Sequence, residues 1–516
     1  MKRRKFIQTT GLSLPVMLSG FGLQAMPKSS IFSAITNETD RVLVLIQLNG
    51  GNDGLAMITP LDQYDKLANA RGNILIPQSS LINVGFNNAF HPVMTGLKSV
   101  FDNGKMSIVQ SVGYPNQNRS HFRSTDIWTS GSPADEYWTT GWLGRYFQKD
   151  HSGFPEGYPN ANFPDPFAIT IGALVSETCQ GTSTNFSMAI NDPFNLNPLF
   201  NLGNDMPPDT PYGDELTFLR TTIEQTNAYS EVITDAANNG TNMVTYPQDN
   251  ALAQQLKNVA LLIAGGLQTK VYIVSLGGFD THAAQTVAGN PQAGDHANLL
   301  KAMSDAVTAF QQDLALLGLE QRVLTMTFSE FGRRINSNFS LGTDHGDAAP
   351  LMLFGSCVNP GFLGDNPVIP ANPDVLDAVP MQYDFRNVYG SVLMDWFGVE
   401  QQDVQSLLFP EFSHIPVIQG CSSTNTSEVV TELKVEAFPN PFSGQVNIVF
   451  NCGNEHVRLS VFNGYAQELE VLLNKKLPMG EHRVQFDGSG LPSGHYYVHL
   501  RLEGGRQKVV MLVKGR

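Results

Sequence analysis

The chain is short of cysteine, of positive charge and of long apolar runs, and each shortage narrows what it can be. Its 516 residues hold four cysteines, at 179, 357, 421 and 452. Their scatter gives neither zinc-knuckle nor Cys-x-x-Cys spacing, which argues against thiolate metal chemistry. Disulfides stay open to an exported chain, but nothing in the spacing pairs them. Lys and Arg number 32 against 47 Asp and Glu, a formal net charge of −15. That balance argues against nucleic-acid binding, which needs a basic face for phosphates. No stretch is long and apolar enough to predict a transmembrane helix. What is present, 41% apolar residues over this length, predicts folded material in two or three domains.

The first residues predict a targeting segment, placed at 1–34. Lys2-Arg3-Arg4-Lys5-Phe6-Ile7-Gln8 is basic, and Gly11–Gly22 is modestly apolar, broken by Gly, Ser and Pro. The twin arginine resembles a twin-arginine translocation signal, implying export of a folded protein. An Arg pair before a general secretory signal is the alternative.

Arg41–Leu48 (RVLVLIQL) predicts a strand buried on both faces. It breaks into Asn49-Gly50-Gly51-Asn52-Asp53-Gly54, which lacks the Walker lysine and the Gly-x-Gly-x-x-Gly pattern and suits a carboxylate aimed at a cation. Met106–Val112 predicts a second strand, leading through Arg119-Ser120-His121 into a helix over Phe122–Trp128. Ser120 there is either an N-cap or a hydroxyl at an anion-favouring helix start. From 150 to 211 the chain reads as loops, apart from a strand at Phe167–Ile171. Helical spacing runs over Asp214–Ala237 and Ala251–Ile263.

A βαβ unit follows: strand Lys270–Leu276, helix His296–Leu319, strand Arg322–Phe328. Its strands release Gly277-Gly278-Phe279-Asp280-Thr281-His282 and Ser329-Glu330-Phe331-Gly332-Arg333 at one sheet edge, where open α/β sheets bind ligands. Asp344-His345-Gly346 comes soon after, then another apolar run. A closing helix is predicted at Tyr389–Phe397. Hard oxygen and imidazole donors on separate strand ends, with a hydroxyl at a helix start, meet the demands of a hydrolytic metal site. Each also has an ordinary structural reading, as a helix-start acid or a turn histidine.

Together these strings resemble the bacterial family known as domain of unknown function 1501, over roughly Arg41 to Phe397. That family is grouped with the alkaline phosphatase/sulfatase superfamily. The resemblance implies a doubly wound, mostly parallel α/β sheet and a metal-dependent hydrolase of phosphate or sulfate esters. Position by position it implies Ser120 as nucleophile and Asp53, Asp280, His282, Glu330 and His345 as metal ligands. Arg119 and Arg123 fall where an anionic substrate needs a partner. Glu330-Phe331 stands where the superfamily places Asp-His. Zn, Mn, Mg and Ca all stay open, with the lost imidazole favouring the harder cations.

Beyond a polar linker at 418–430, period-two runs between 431 and 516 predict a small all-β sandwich. Phe438-Pro439-Asn440-Pro441-Phe442, Leu491-Pro492-Ser493-Gly494 and the final Lys514-Gly515-Arg516 resemble the C-terminal sorting domain of type IX secretion substrates. The expected organisation is signal, α/β domain over 35–417 with an insertion at about 150–250, linker and sandwich. Expected partners are the twin-arginine and type IX export machineries, which take the chain through the periplasm to the surface or beyond. An anionic ester or glycan is the expected substrate. The alternative is an inactive surface protein of this fold that binds a glycan or a protein.

Overall fold

The computed structural model describes residues 40–196, 207–208, 210–419, 435–452, 455–463, 468–477, 480–502 and 507–515. The signal segment at 1–34 and most of the linker lie outside them. The chain divides into two compact units, with the break after Cys421.

The first unit is built on a nine-stranded sheet. Its strands are β1 (Val42–Asn49), β2 (Met106–Gly113), β3 (Ala168–Ile171), β4 (Ser187–Ile190), β5 (Val271–Gly277), β6 (Val323–Phe328), β7 (Ala349–Phe354), β8 (Gly361–Leu363) and β9 (Tyr383–Asp384). The order is β8-β2-β7-β6-β1-β5-β3-β4, with β9 also on β2. All pairings are parallel except those of β7, which runs against β2 and β6.

Alternation along β1 explains its nearly continuous apolar run. Val42, Val44, Ile46 and Leu48 enter one core, with helices Thr95–Asp102, Pro211–Asn239, Ala251–Ala264 and Asp295–Leu316. Leu43 and Leu45 enter the other, with helices His121–Ser130, Trp142–Asp150, Phe385–Phe397 and Gln401–Leu407. A strand facing two helical layers has no solvent side, so apolar residues dominate on both faces. Each such side chain contributes roughly 1.5–3 kcal/mol by leaving water.

The fold is therefore a doubly wound, mostly parallel α/β sheet. The βαβ unit over 271–328 straddles β1, since β5 and β6 pair with opposite sides of it. The loop-rich reading of 150–211 missed β4, four residues that extend the sheet beyond β3. The second apolar run after His345 is the antiparallel β7.

The second unit is all-β. Val435–Phe438, Gln445–Cys452 and Gly480–Asp487 form one antiparallel sheet. Glu455–Asn463, Glu468–Leu477, Gly494–Leu502 and Gln507–Lys514 form another. Val446, Ile448 and Phe450 from the first share a core with Val457, Leu459, Val461, Val498 and Leu500 from the second.

Candidate metal centre

Every parallel strand points its carboxyl end at one edge, and β1 and β5 end level, with Asn49 paired to Gly277. The loops beyond them pack backbone against backbone. Gly50 has φ +121°, and a Cβ there would sit 2.3 Å from the amide nitrogen of Asp280, so a side chain would force the two loops apart.

His121, Asp280 and His345 meet here from three loops, with one ligand atom of each within 4.8 Å of the others. Asp280 Oδ1 lies 3.0 Å from His345 Nε2 and 3.1 Å from His282 Nε2, and its Oδ2 lies 3.4 Å from His121 Nε2. The Nε2 atoms of His282 and His345 are 2.9 Å apart.

Each ring is turned by an acceptor behind it. His345 Nδ1 donates to the carbonyl of Arg119 at 2.7 Å. His282 Nδ1 is 3.0 Å from Asp344 Oδ1, and His121 Nδ1 is 2.8 Å from Glu330 Oε1. A carbonyl or carboxylate only accepts, so these contacts place the ring protons on Nδ1 and leave the Nε2 lone pairs facing inward. The lone pairs of His282 and His345 point at one another and at a carboxylate. The buried Nε2 of His121 completes no hydrogen bond. A donor set of this kind repels itself until a cation joins it, and imidazoles backed by carboxylate or carbonyl groups are the usual form of a histidine metal site. The residues fit a divalent metal.

The electrostatics agree. Burial pushes the Asp280 carboxyl up, but Arg333 and His345 outweigh it and hold the group well below the usual carboxylate range. Burial holds His345 below the ordinary histidine value, against the pull of Asp280 and the Arg119 carbonyl, which favours the neutral, ligating ring. Asp344 is held low, with burial outweighed by His282 and Asn338. The centre is open to solvent, with the Asp280 side chain 48% exposed.

Arg333 locks the loops together. Its fully buried guanidinium donates to the carbonyls of Gly51 (2.6 Å), Thr343 (2.8 Å), Phe279 (2.9 Å) and Gly50, and to Asp280 Oδ1 (2.8 Å).

Asp280, His282 and His345 of the expected set thus converge. Glu330 is buried one step back: its Oε1 accepts from Gly50 N–H and faces His121, so it orients a ligand. Asp53 is committed elsewhere. It caps the helix Gly54–Met57 and faces Arg71 Nη1 at 2.8 and 3.0 Å and Gln285 Nε2 at 2.6 Å. Burial pushes its carboxyl up, and Arg71, His296 and Gln285 together pull it below the usual range. An arginine fills the place a cation would take.

Ser120 is the residue before helix His121–Ser130 but makes no capping hydrogen bond, and it is exposed. Arg119 pairs bidentately with Asp347 (2.8 and 3.0 Å). Arg123 is buried against Asp126 and the carbonyls of Pro133, Ala134 and Glu136, with Tyr137 stacked on it. That clamp holds a turn through both Nη atoms of Arg123.

Sequence reasoning passed over His121, Asp344, Arg333 and Arg71. The first three stand inside the quoted strings, where His121 was legible as a donor at a helix start. Arg71 has no local signal.

Residues 219–404 match the family model described as protein of unknown function (DUF1501), and residues 436–514 that of the secretion system C-terminal sorting domain. The sorting domain marks the chain for type IX export to the cell surface or extracellular space. No curated protein matches the sequence. Among solved structures the chain is similar to the PsFucS1 sulfatase from Pseudoalteromonas sp., at 9% identity over 90% of this chain and 86% of that chain, TM-score 0.35. It is also similar to the C-terminal periplasmic domain of EcEptC from Escherichia coli, at 13% identity over 76% and 92%, TM-score 0.33. PorZ, a surface component of the type IX secretion system of Porphyromonas gingivalis, aligns at 19% identity over 19% of this chain and only 14% of its own length, TM-score 0.14.

Proposed function

We propose that this chain, with its DUF1501 segment and its sorting tail, is a surface-delivered, metal-dependent hydrolase of phosphate or sulfate esters. One observation carries the reading: three imidazoles, each backed by an acceptor on Nδ1, turn Nε2 toward the carboxylate of Asp280. His121, Asp280, His282 and His345 hold the metal. Three nitrogens and one oxygen favour zinc over the harder cations expected from two imidazoles. When bound, such an ion polarises an ester oxygen. Ser120 is the nucleophile, its hydroxyl uncommitted to capping at a helix start where N–H groups favour an anion. Of the two arginines, Arg119 serves the substrate, because its pair with Asp347 is partly exposed. Asp53 and Glu330 support the loops.

A second reading, a surface protein that binds without turnover, draws on the commitment of both arginines to protein acceptors. The test purifies the exported chain, counts bound metal by elemental analysis and screens aryl phosphates and sulfates. Expected are stoichiometric metal, its loss in Asp280→Asn, and a rate loss of about 100-fold or more in Ser120→Ala. Absence of metal refutes the centre. Metal without turnover of any ester favours the binding protein.

A further inference from the structure

Two exposed rings stand beside the centre, one on the helix that delivers His121 and one packed against it. Phe122 follows His121 in helix His121–Ser130 and is 91% exposed, and Tyr137 is 79% exposed. Single apolar side chains on a surface are ordinary. These two are joined by built structure.

Arg123 links them. Its guanidinium carbon lies 3.9 Å from the centre of the Tyr137 ring, covering one face and leaving the other to solvent. Its Nη2 donates to the carbonyls of Pro133 (3.2 Å), Ala134 (3.1 Å) and Glu136, which fixes the turn before Tyr137. The turn after it is fixed as well. Trp138 Nε1 donates to Glu136 Oε2 at 2.8 Å, and the Trp138 ring lies 4.7 Å from the guanidinium of Arg145. Arg145 in turn donates to the carbonyls of Thr140 and Ser130, both at 2.8 Å. Tyr137 is thus an exposed ring on a braced loop. Asp126 pairs with Arg123 Nη1 and lies one helical turn from Phe122 on the same face. Cβ bonds of a helix tilt toward its N-terminus, so Phe122 stands over the end that carries Ser120 and His121.

From these two rings, held in line with Ser120, we infer that Phe122 and Tyr137 form a platform that stacks a flat, uncharged ring on the alcohol side of the ester. The inference deepens the hydrolase reading and rests on its placement of the anionic group at Ser120. The Asp126 carboxylate neutralises Arg123, which leaves the platform apolar. A ring already fixed loses little freedom when a second ring stacks on it. An aryl group and a sugar both offer such a face, and a small alkyl alcohol does not.

The experiment reads binding rather than turnover, so that failure of hydrolysis leaves it intact. Full-length Ser120→Ala protein loaded with zinc is titrated by calorimetry with methyl phosphate, phenyl phosphate and glucose 6-phosphate, and with methyl and phenyl sulfate. Expected is binding of a ring ester tighter than its methyl ester by about tenfold or more, with Phe122→Ala and Tyr137→Ala each eroding that preference about 2- to 10-fold. Tyr137→Phe should keep it. Leu316 is exposed at the end of helix Asp295–Leu316, on the opposite edge of the sheet, and Leu316→Ala should leave every affinity unchanged. Preference for phenyl phosphate identifies an aryl ester, and preference for glucose 6-phosphate a sugar ester. Ring preference in a protein whose wild type turns over no ester keeps the platform and refutes hydrolysis. Equal affinity for methyl and ring esters, a preference untouched by both alanine substitutions, or no saturable binding of any ester would overturn the inference.

Discussion

Replacing Arg71 with methionine decides whether Asp53 is half of an ion pair or a group offered to metal. Both side chains are 1% exposed, and one guanidinium nitrogen reaches both carboxylate oxygens. Methionine keeps much of the stem volume and removes the charge. At ~3 Å and an effective dielectric of about 20, the Coulomb attraction is about 5–6 kcal/mol. Breaking a buried pair from one side typically costs about 3–5 kcal/mol. Gln285 and the amide of Ala56 still serve Asp53, which lowers the cost. The carbonyls of Ile335 and Arg334 lose their donors, which raises it. A loss of about 4 kcal/mol at pH 7 is expected. The pH dependence gives a second handle. In the wild type the Asp53 carboxyl is depressed, so its contribution is present above the unfolded value and lost as pH falls. Without Arg71 the depression disappears, and the deficit should shrink as acid protonates the carboxyl. Urea unfolding followed by tryptophan fluorescence reads this unit alone, because Trp128, Trp138, Trp142 and Trp396 all lie in it. Asp53→Asn/Arg71→Met should recover part of the loss. A cost below about 1 kcal/mol in Arg71→Met, together with loss of metal in Asp53→Asn, would refute the ion-pair assignment of Asp53.

Glu330→Gln should weaken metal binding by about 10- to 100-fold in a chelator competition without unfolding the chain, since the amide keeps an oxygen for Gly50 N–H but replaces the carboxylate behind His121. Burial holds His91 at about 3 and His296 at about 4, so both are neutral in the folded protein well below the ordinary histidine value. Their stabilisation is present above about pH 6.5 and drains as pH falls, by about 3 kcal/mol for His296 at pH 4. His296→Gln should flatten urea stability between pH 7 and 4, and an unchanged slope would count against this assignment. Deleting 431–516 should strand a folded protein in the periplasm, and fractionation showing it still at the surface would refute the sorting role.

The sheet was legible where burial on both faces suppresses polar residues: β1, β5 and β6 all read as apolar runs. β4 was not, because Ser187-Met188-Ala189-Ile190 is too short to carry a period. The direction of β7 was also hidden, since alternation is the same for parallel and antiparallel strands. At the site, local strings announced which loops reach the sheet edge. They did not announce which carboxylate is already neutralised. Asp53 and Asp280 read alike, and only folding brings Arg71 to one and the imidazoles to the other. His121 was overlooked beside Ser120, one residue earlier, because a hydroxyl and an imidazole at a helix start both fit a hydrolytic site.

Arg333 has a thermodynamic consequence. Its single guanidinium joins Gly50, Gly51, Phe279, Asp280 and Thr343, reaching partners up to 283 residues away from Arg333 along the chain. None of these loops can lift away without surrendering bonds that the others share. Amide hydrogens of 50–51, 279–280 and 343 should therefore exchange as one cooperative opening unit, at a common rate set by the release of one side chain.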